Sequence, residues 1–543
     1  MKTVFLTTLL IGLLGYQALQ AQDRAMGANF DMATIAKTPR KVQLSFQSFR
    51  GMPEQASLEA YCPTPGNQGN HGTCVAFANG YGIATILYAK AHDITDKSII
   101  DKYVFSPSFL YELIKDPSDG DCQMGSDPVK ALLTLIDTGN ALNRTVPYYC
   151  GASISDQARN EAANYKISDA SILFAPGEYA KTAGEMIDLT KKALLEGSPI
   201  SGGFHLPESF FSIKSAIWTS DPTEANKDWK HNGHAMAVVG FDDNVAGGAF
   251  RILNSWGTAW ADHGYVWMNY NDYTKYCILA LQVFGNPYTP DPVENVKPQP
   301  KPEPKPVPQP EPTPVPQPVP QPKPQPEPKP QPVPANVMSL SGSVEFKLNT
   351  GEDMPVNKIS SRNLMVEEDV AAKEDLVAYT MMNSYSSGDK FRFYMTVDNE
   401  AYIYAFATDL TGKINRILPF DDLTSTHVGS NSIVAFPSDT KIIKLDENKG
   451  TDYLLILYSK EPLNMNQMLA DMNNAKGGLS SKISAALGDK LIAKDKIKYS
   501  PSNVGFQVNV KYGTRNLTVE EDNQSTEYVT GSVVPLMVEI KHN

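Results

Sequence analysis

The spacing of apolar residues changes from helical to strand-like along the first half of this chain. Apolar residues recur every three or four positions over residues 75–92, 107–114, 128–138 and 179–196, which predicts four helices. Short apolar runs then predict strands at residues 200–204, 235–240, 249–254, 264–269 and 278–284. A helical half followed by a β-rich half predicts an α+β domain of two lobes with a cleft between them.

The C-terminal part of the chain alternates apolar and polar residues in many short runs. Strands are predicted at residues 390–397, 401–407, 414–420, 432–436, 453–458, 504–511 and 534–541, and helices at 464–474 and 479–487. We therefore predict a β-rich, sandwich-like accessory domain over residues 338–543.

A proline-rich segment separates the two predicted domains. Every second residue from Pro298 to Pro334 is proline, and most of the others are polar, so no core can form there. We predict a stiff polyproline II linker over residues 291–337, on the order of 100 Å long. The segment is similar to the periplasm-spanning stalks of Gram-negative envelope proteins, which favours a spacer over a ligand for proline-binding domains.

The N-terminus predicts export. Lys2 precedes an apolar run, and small residues follow up to Ala21, which is typical of a signal peptide over residues 1–21. We expect the protein in the periplasm, at the cell surface or outside a Gram-negative bacterium. The run is too short to span a bilayer, and we find no other long apolar run, so no transmembrane segment is predicted. A net charge of −12 argues against a nucleic-acid partner.

Three segments carry candidate chemistry. Gln68 stands six residues before Cys74, in glycine-rich surroundings at the start of a predicted helix. A helix N-terminus favours the thiolate, and the glutamine amide can donate to an oxyanion that forms beside the sulfur. His234 opens a predicted buried strand, and Asn254 precedes Trp256. A histidine can move protons to and from a thiol if its second ring nitrogen is held in place.

These segments resemble the papain family of cysteine peptidases, from Leu58 to Phe284. The segments occur in the same order as in the family: Gln and Cys first, then His, then Asn-Ser-Trp-Gly. The resemblance implies a peptidase domain over residues 58–290. It implies that Cys74 is the nucleophile, His234 the general acid/base and Asn254 the residue that orients the histidine. Gln68 and the backbone N–H of Cys74 would form the oxyanion hole, and Trp256 would shield the Asn–His hydrogen bond.

The chain departs from the family pattern at several positions near the nucleophile. Val75 stands where the family usually has Trp, and His71 stands where it usually has a disulfide cysteine. Gly233, the residue before the histidine, stands where plant enzymes of the family often have Asp. The loop Gln-Met-Gly-Ser after Cys122 replaces Asn-Gly-Gly. These departures leave the triad intact and put the substrate preference in doubt.

With Cys74 as the nucleophile, four cysteines remain for two disulfides in an exported protein, and spacing alone allows three connectivities. The segment from Cys122 to Cys150 resembles the family's loop after its first disulfide, and we expect the pairs Cys122–Cys150 and Cys62–Cys277. The chain shows no Cys-x-x-Cys or paired-histidine pattern, so no metal or other cofactor is predicted.

About forty residues separate Ala21 from the papain-like region, too few for a folded propeptide of the usual family length. We interpret residues 22–57 as an N-terminal arm that packs on the surface of the domain, with a short cleavable leader as the alternative. If this interpretation holds, no folded prodomain blocks the enzyme.

Residues 390–460 contain an Asn-Glu-Ala-Tyr-Ile-Tyr strand, an Asp-x-x-Gly-Lys turn and a later Phe-Pro pair. With these features the segment resembles a bacterial domain of unknown function that is appended to proteases and kinases. The resemblance implies no chemistry, so we expect binding or anchoring, with a partner in the envelope or at the surface. The sequence does not predict the oligomeric state.

The sequence as a whole predicts an exported cysteine peptidase that acts on polypeptide substrates. The alternatives are an acyl transferase, amidase or isopeptidase with the same triad, a catalytically idle binding module, or a structural envelope protein. Loss of Gln68, Cys74, His234 or Asn254 would favour an idle module, and all four are present.

Overall fold

The computed structural model describes residues 25–224, 233–286, 337–360, 376–408, 412–511 and 530–543. The predicted signal peptide and nearly all of the predicted linker lie outside these residues. The chain forms two compact units, one made mainly of residues that precede the predicted linker in the sequence and one mainly of residues that follow it. Among the described residues, no helix combines the length and the apolar character needed to cross a bilayer.

The helices of the first unit lie mainly before its strands, as predicted. They are α1 (Met32–Ile35), α2 (Cys74–Ala76), α3 (Thr85–Ala91), α4 (Lys97–Ile100), α5 (Pro107–Ile114), α6 (Pro128–Asp137), α7 (Asp156–Ala162), α8 (Ala183–Leu195) and α9 (Tyr270–Tyr276). Both α5 and α6 begin with a proline behind a capping residue: the Ser106 side chain accepts from the Phe109 N–H, and Asp127 accepts from the Lys130 N–H. This pairing of a polar cap with proline in the first turn fixes where each helix starts.

The helix predicted over residues 75–92 starts at Cys74 and is not uniform. Its α2 and α3 parts are joined by a π-helical segment, Phe77–Ala84. Most of its side chains are buried on every side, so it forms the centre of the helical lobe. π-helical turns inside α-helices occur often at functional sites.

A single mixed sheet of the described residues forms the other lobe. Its strands are β1 (Gln55–Ser57), β2 (Asp169–Phe174), β3 (Ile200–Phe204), β4 (Ile217–Trp218), β5 (His234–Asp242), β6 (Ala249–Leu253), β7 (Tyr265–Asn269) and β8 (Cys277–Phe284). Their order is β2-β8-β3-β5-β6-β7-β4, with β1 paired to β5. The five strands predicted after residue 200 are present, and together with the helices they confirm the papain-like α+β fold.

Residues 25–42, the first described part of the predicted N-terminal arm, make buried contacts with the domain. The Lys41 ammonium group is buried and lies 2.8 Å from Glu196 Oε2 and 2.6 Å from Gln282 Oε1. Because a buried charge is tolerated only with partners, this contact anchors the end of the arm to the domain. This end of the arm is thus partly buried in the domain.

The second unit contains two sheets and two helices among its described residues. The strands are β9 (Val337–Leu348), β10 (Val356–Ser360), β11 (Val377–Met381), β12 (Lys390–Val397), β13 (Ala401–Thr408), β14 (Ile414–Leu418), β15 (His427–Val428), β16 (Ser432–Phe436), β17 (Ile443–Lys444), β18 (Gly450–Ser459), β19 (Lys498–Tyr499), β20 (Val504–Lys511) and β21 (Val533–His542). The helices are α10 (Met465–Asn474) and α11 (Leu479–Leu487).

The sheets of the second unit have the orders β10-β11-β21-β18-β13-β14 and β16-β12-β9-β20-β19. The Tyr458 hydroxyl group donates across from one sheet to the carbonyls of Ser343 and Thr396 in the other. Helices α10 and α11 share a hydrophobic core with the first of these sheets. The β-rich, sandwich-like prediction is confirmed.

The cysteines form one disulfide, not two. Cys122 and Cys150 are joined, with an S–S distance of 1.99 Å, as predicted. Cys62 and Cys277 are free and buried, so the predicted Cys62–Cys277 disulfide is wrong. Each of these thiols donates instead to a nearby carbonyl, of Leu58 and Leu279 respectively. Burial raises the pKa of each to about 12, which keeps both as neutral thiols.

We predict that alkylation of the denatured, unreduced protein labels Cys62, Cys74 and Cys277, and that prior reduction adds Cys122 and Cys150. Peptide mapping by mass spectrometry checks the pattern. Protection of Cys62 and Cys277 until reduction would contradict it.

We predict that Lys41→Met lowers the free energy of unfolding of the first unit by about 3 kcal/mol, because it leaves the Glu196 carboxylate buried with weaker compensation. Urea unfolding followed by tryptophan fluorescence measures this, since all five tryptophans lie between residues 218 and 267. Lys37→Met, an exposed position on the same arm, is the control and should change stability by less than about 0.5 kcal/mol.

Candidate active site

Cys74 is the first residue of the buried central helix, and its side chain is fully inaccessible to solvent. Backbone N–H groups of Ala235, Gly27, Val75 and Cys74 itself lie against the sulfur. Ala235 directly follows His234, so the helix start and the start of β5 meet at this thiol. The predicted nucleophile therefore lies at the junction of the two lobes.

His234 is held on one side by Asn254. Its Nε2 lies 2.8 Å from Asn254 Oδ1, and that oxygen also accepts from the Ser255 N–H. Nδ1, the other ring nitrogen, has no hydrogen-bond partner among the described residues. An acceptor fixed on Nε2 requires the proton there, which leaves Nδ1 with a lone pair for proton transfer.

The Trp256 side chain covers the histidine. The two rings are stacked, with centroids 4.7 Å apart and planes inclined by 26°. Trp256 is 5% exposed and His234 and Asn254 are 0% and 3% exposed, so the hydrogen bond between them lies in a dry environment. This is the position in which Trp256 would shield that bond.

Gln68 is oriented by the same loop that holds the histidine. Its Oε1 accepts from Ser255 Oγ at 2.5 Å, and its backbone N–H donates to the Ser255 carbonyl. With the carbonyl end of the amide fixed in this way, the Nε2 end points to the carbonyls of His71 and Ala25. Ser255 is thus a positioning residue that sequence reasoning missed, although it stands inside the Asn-Ser-Trp-Gly motif.

Tyr148 ties the glutamine to the helix start. Its hydroxyl group donates to the Gln68 carbonyl at 2.8 Å and lies 2.9 Å from Thr73 Oγ1. His71 Nδ1 lies 3.3 Å from the same hydroxyl group. The family usually has a disulfide cysteine at position 71, and here a polar cluster around Tyr148 braces this loop. Tyr148 stands in a Tyr-Tyr-Cys run that gives no sequence signal of such a role.

A buried carboxylate braces the neighbouring loop. Asp119 lies in an acidic turn, yet it is 1% exposed. It accepts from the Tyr111 hydroxyl group at 2.5 Å and from the Gln123 N–H at 3.0 Å. Its carboxylate therefore positions residues 123–126, which border the cleft.

The N-terminal arm passes through the site. The Ala25 carbonyl accepts from Gln68 Nε2 at 2.9 Å, and the Ala28 N–H donates to the Gly233 carbonyl at 2.7 Å. On the opposite side, the Ser126 N–H donates to the Gly27 carbonyl at 2.8 Å. Residues 26–28 are buried in this position.

Burial keeps both candidate reacting groups, Cys74 and His234, neutral in this arrangement. It raises the pKa of Cys74 to about 11, although the surrounding N–H groups act in the opposite direction. It lowers the pKa of His234 to about 4, against the hydrogen bond to Asn254, which raises it. A dry site disfavours each charged form, so the thiolate–imidazolium pair requires water or substrate to enter.

Two family models match the chain. Residues 58–285 match the papain family of cysteine proteases. Residues 58–285 are a papain-family cysteine protease domain. Residues 384–462 of the second unit match a domain of unknown function, DUF4384. Only the first of these matches bears on the chemistry of the site.

The protease domain is similar to several known proteins. An uncharacterized peptidase C1-like protein of Acanthamoeba polyphaga mimivirus is 35% identical over 102 residues, which is 18% of this chain and 32% of the viral protein. Cysteine proteinase 3 of Entamoeba histolytica is 23% identical over 218 residues, 40% of this chain and 62% of that protein. The chain thus spans about a third and about three fifths of these two relatives.

Among solved structures, the chain is similar to xylellain, a cysteine protease from Xylella fastidiosa. The two are 24% identical, and the match covers 49% of this chain and 97% of xylellain with a TM-score of 0.39.

We predict that His234 makes the stability of the protease domain depend on pH. The unfolded chain binds a proton at this residue below its ordinary pKa of 6.5, whereas the folded chain binds it only near pH 4. The free energy of unfolding should therefore fall as the pH drops through this window, by about 3 kcal/mol in total from this residue.

The measurement compares urea unfolding of the parent and His234→Gln at pH 7 and pH 4.5, followed by tryptophan fluorescence. The difference between the two proteins isolates the histidine from other titrating groups. An equal loss of stability in both proteins would show that His234 is not buried as a neutral ring.

Proposed function

We propose that the protein is an exported cysteine peptidase that hydrolyses polypeptides through an acyl-enzyme on Cys74. One observation carries the proposal: His234 is bonded to Asn254 through Nε2 while its Nδ1 is unbonded, and the N–H of the next residue, Ala235, lies against the Cys74 sulfur. A thiol beside an oriented imidazole is the arrangement that generates a thiolate nucleophile at neutral pH.

In the proposed reaction, the Cys74 proton passes to His234 Nδ1 and the sulfur attacks the acyl carbon of the peptide bond. Gln68 Nε2 and the Cys74 backbone N–H donate to the oxyanion that forms. The imidazolium then protonates the leaving amine. In the second half, His234 takes a proton from water, the hydroxide attacks the thioester, and the carboxylic acid leaves with return of the proton to sulfur.

Two features support export. The first is the signal-like pattern that ends at Ala21. The second is the Cys122–Cys150 disulfide, since disulfides persist mainly in oxidising compartments. We propose a location in the periplasm, at the surface or outside a Gram-negative cell, with the proline-rich segment as a spacer and the second unit as a binding or anchoring module.

Expression in a Gram-negative host followed by N-terminal sequencing should give a mature chain that begins at Gln22.

We predict that Cys74→Ala abolishes hydrolysis of a mixed fluorogenic peptide library under reducing conditions. Asn254→Ala should lower kcat on the order of 100-fold, because His234 then loses the group that fixes its ring. Cys277→Ala, which removes another buried free thiol, and Asn244→Ala, on an exposed turn, are the matched controls and should stay close to the parent.

Hydrolysis that survives in Cys74→Ala would refute the mechanism. Product analysis with added amine acceptors separates hydrolysis from acyl transfer, because only transfer incorporates the amine. Absence of hydrolysis and transfer in the folded parent, together with unchanged inactivity in every variant, would favour a binding role.

A further inference from the structure

We propose that the second unit has a binding pocket between its two sheets, and that the pocket takes an aromatic side chain of a polypeptide with a basic residue beside it. A cavity of about 280 Å³ lies between the sheets. Its lining residues all fall within residues 384–462, the match to the domain of unknown function, except Ile540. The choice of a polypeptide as ligand rests on the proposed peptidase function. Such a site would hold a polypeptide on the same chain as the protease domain.

A short side chain on one sheet creates the cavity. Ala407 of β13 lies in the lining and pairs with Asn415 of β14 on one side and with Leu454 of β18 on the other. The opposite sheet places Phe391 and Phe393 of β12 in the same lining. Because the methyl group of Ala407 is short, space remains in front of these two rings.

The walls of the cavity are apolar and shielded from bulk water. Phe391, Phe393, Phe436, Leu454 and Ile540 all line it, and all are buried. In other proteins an apolar cavity of about 150 Å³ stays dry and binds benzene, and ligand pockets begin at about 300 Å³. The cavity therefore has room for an aromatic side chain, which would restore the dispersion contacts that the empty space lacks.

The rings in the lining favour an aromatic occupant over an aliphatic one. Phe393 and Phe436 are stacked, with centroids 4.8 Å apart and planes inclined by 20°. Phe391 and Tyr453 add two further rings to the walls. Aromatic rings gain from stacked and edge-to-face contacts with one another beyond the area that they bury. A tryptophan or phenylalanine side chain can make such contacts with several walls at once.

The charged groups of the lining are acidic on balance. Asp446 and Asp452 contribute two carboxylates, and Lys444 contributes one ammonium group. Complementary charge favours a ligand with a lysine or arginine next to its aromatic residue, and it disfavours the carboxylate of a fatty acid or the phosphate of a lipid headgroup. We therefore assign a polypeptide to the pocket, and not an acyl chain.

The test uses the full chain with Cys74→Ala as parent, so that bound peptides stay intact. The probe is acetyl-Gly-Trp-Lys-Gly-amide, compared with peptides in which serine replaces the tryptophan or glutamate replaces the lysine, and with decanoate. Isothermal titration calorimetry measures each Kd. Ala407→Phe fills the cavity, Asp452→Asn removes one carboxylate, and Ala485→Phe, at an exposed position of α11, is the matched control. Circular dichroism verifies that each variant is folded.

Ala407→Phe should weaken binding of the tryptophan–lysine peptide on the order of tenfold, because the new ring takes the place of the ligand. Ala485→Phe should match the parent. Asp452→Asn should weaken binding about threefold, and exchange of the peptide lysine for glutamate should act in the same direction. Comparison of Ala407→Phe with the parent also separates this pocket from any binding of the peptide in the cleft at position 74.

Equal affinity of the parent and folded Ala407→Phe for the peptide would overturn the proposal, and so would pocket-dependent binding of decanoate without binding of the peptide. If Ala407→Phe does not fold, unchanged affinity in Asp452→Asn together with equal binding of the serine peptide would overturn it. Hydrolysis of the fluorogenic peptides by the chain with Cys74 intact is measured separately. Pocket-dependent binding without hydrolysis would refute the peptidase and retain the pocket, whereas hydrolysis without pocket-dependent binding would do the reverse.

Discussion

The loop of residues 254–256 is the constraint on which the site depends, because it orients the candidate catalytic groups of both lobes. Asn254 fixes the histidine ring, Ser255 fixes the amide of Gln68, and Trp256 covers the histidine. The loop follows directly from β6, a buried strand in the middle of the sheet. A rigid strand thus positions three side chains that each have a different target.

Burial in this site has opposite effects on structure and on chemistry. A dry environment strengthens the hydrogen bond between His234 and Asn254, since no water competes for it. The same environment holds Cys74 and His234 in their neutral forms. In the described structure the hydrogen bond is therefore strong and the thiolate–imidazolium pair is not formed. Residues 25–28 of the arm, which lie in the cleft, contribute to both effects because they exclude water.

Around Cys74, hydrogen bonds between polar side chains and the backbone hold the loops together where the family usually has a further disulfide. The Tyr148 hydroxyl group links the Gln68 backbone to Thr73, and Asp119 binds Tyr111 and the Gln123 N–H. A single disulfide, Cys122–Cys150, closes the loop between these two clusters. Such networks hold their members in place only if each buried polar atom finds a partner, which requires the complete tertiary packing.

The sequence by itself determined the local elements and the identity of the candidate catalytic residues. Apolar periodicity gave the central helix and the strands after residue 200, because these elements bury one or more faces and carry a regular pattern. It missed β2 and α7, whose short runs contain several polar residues. What only the tertiary structure decided is which distant groups meet: the Ser255 and Tyr148 contacts, the free state of Cys62 and Cys277, and the passage of residues 25–30 through the cleft. These depend on backbone carbonyls, small residues and packing across the fold, which leave no periodic signal in the chain.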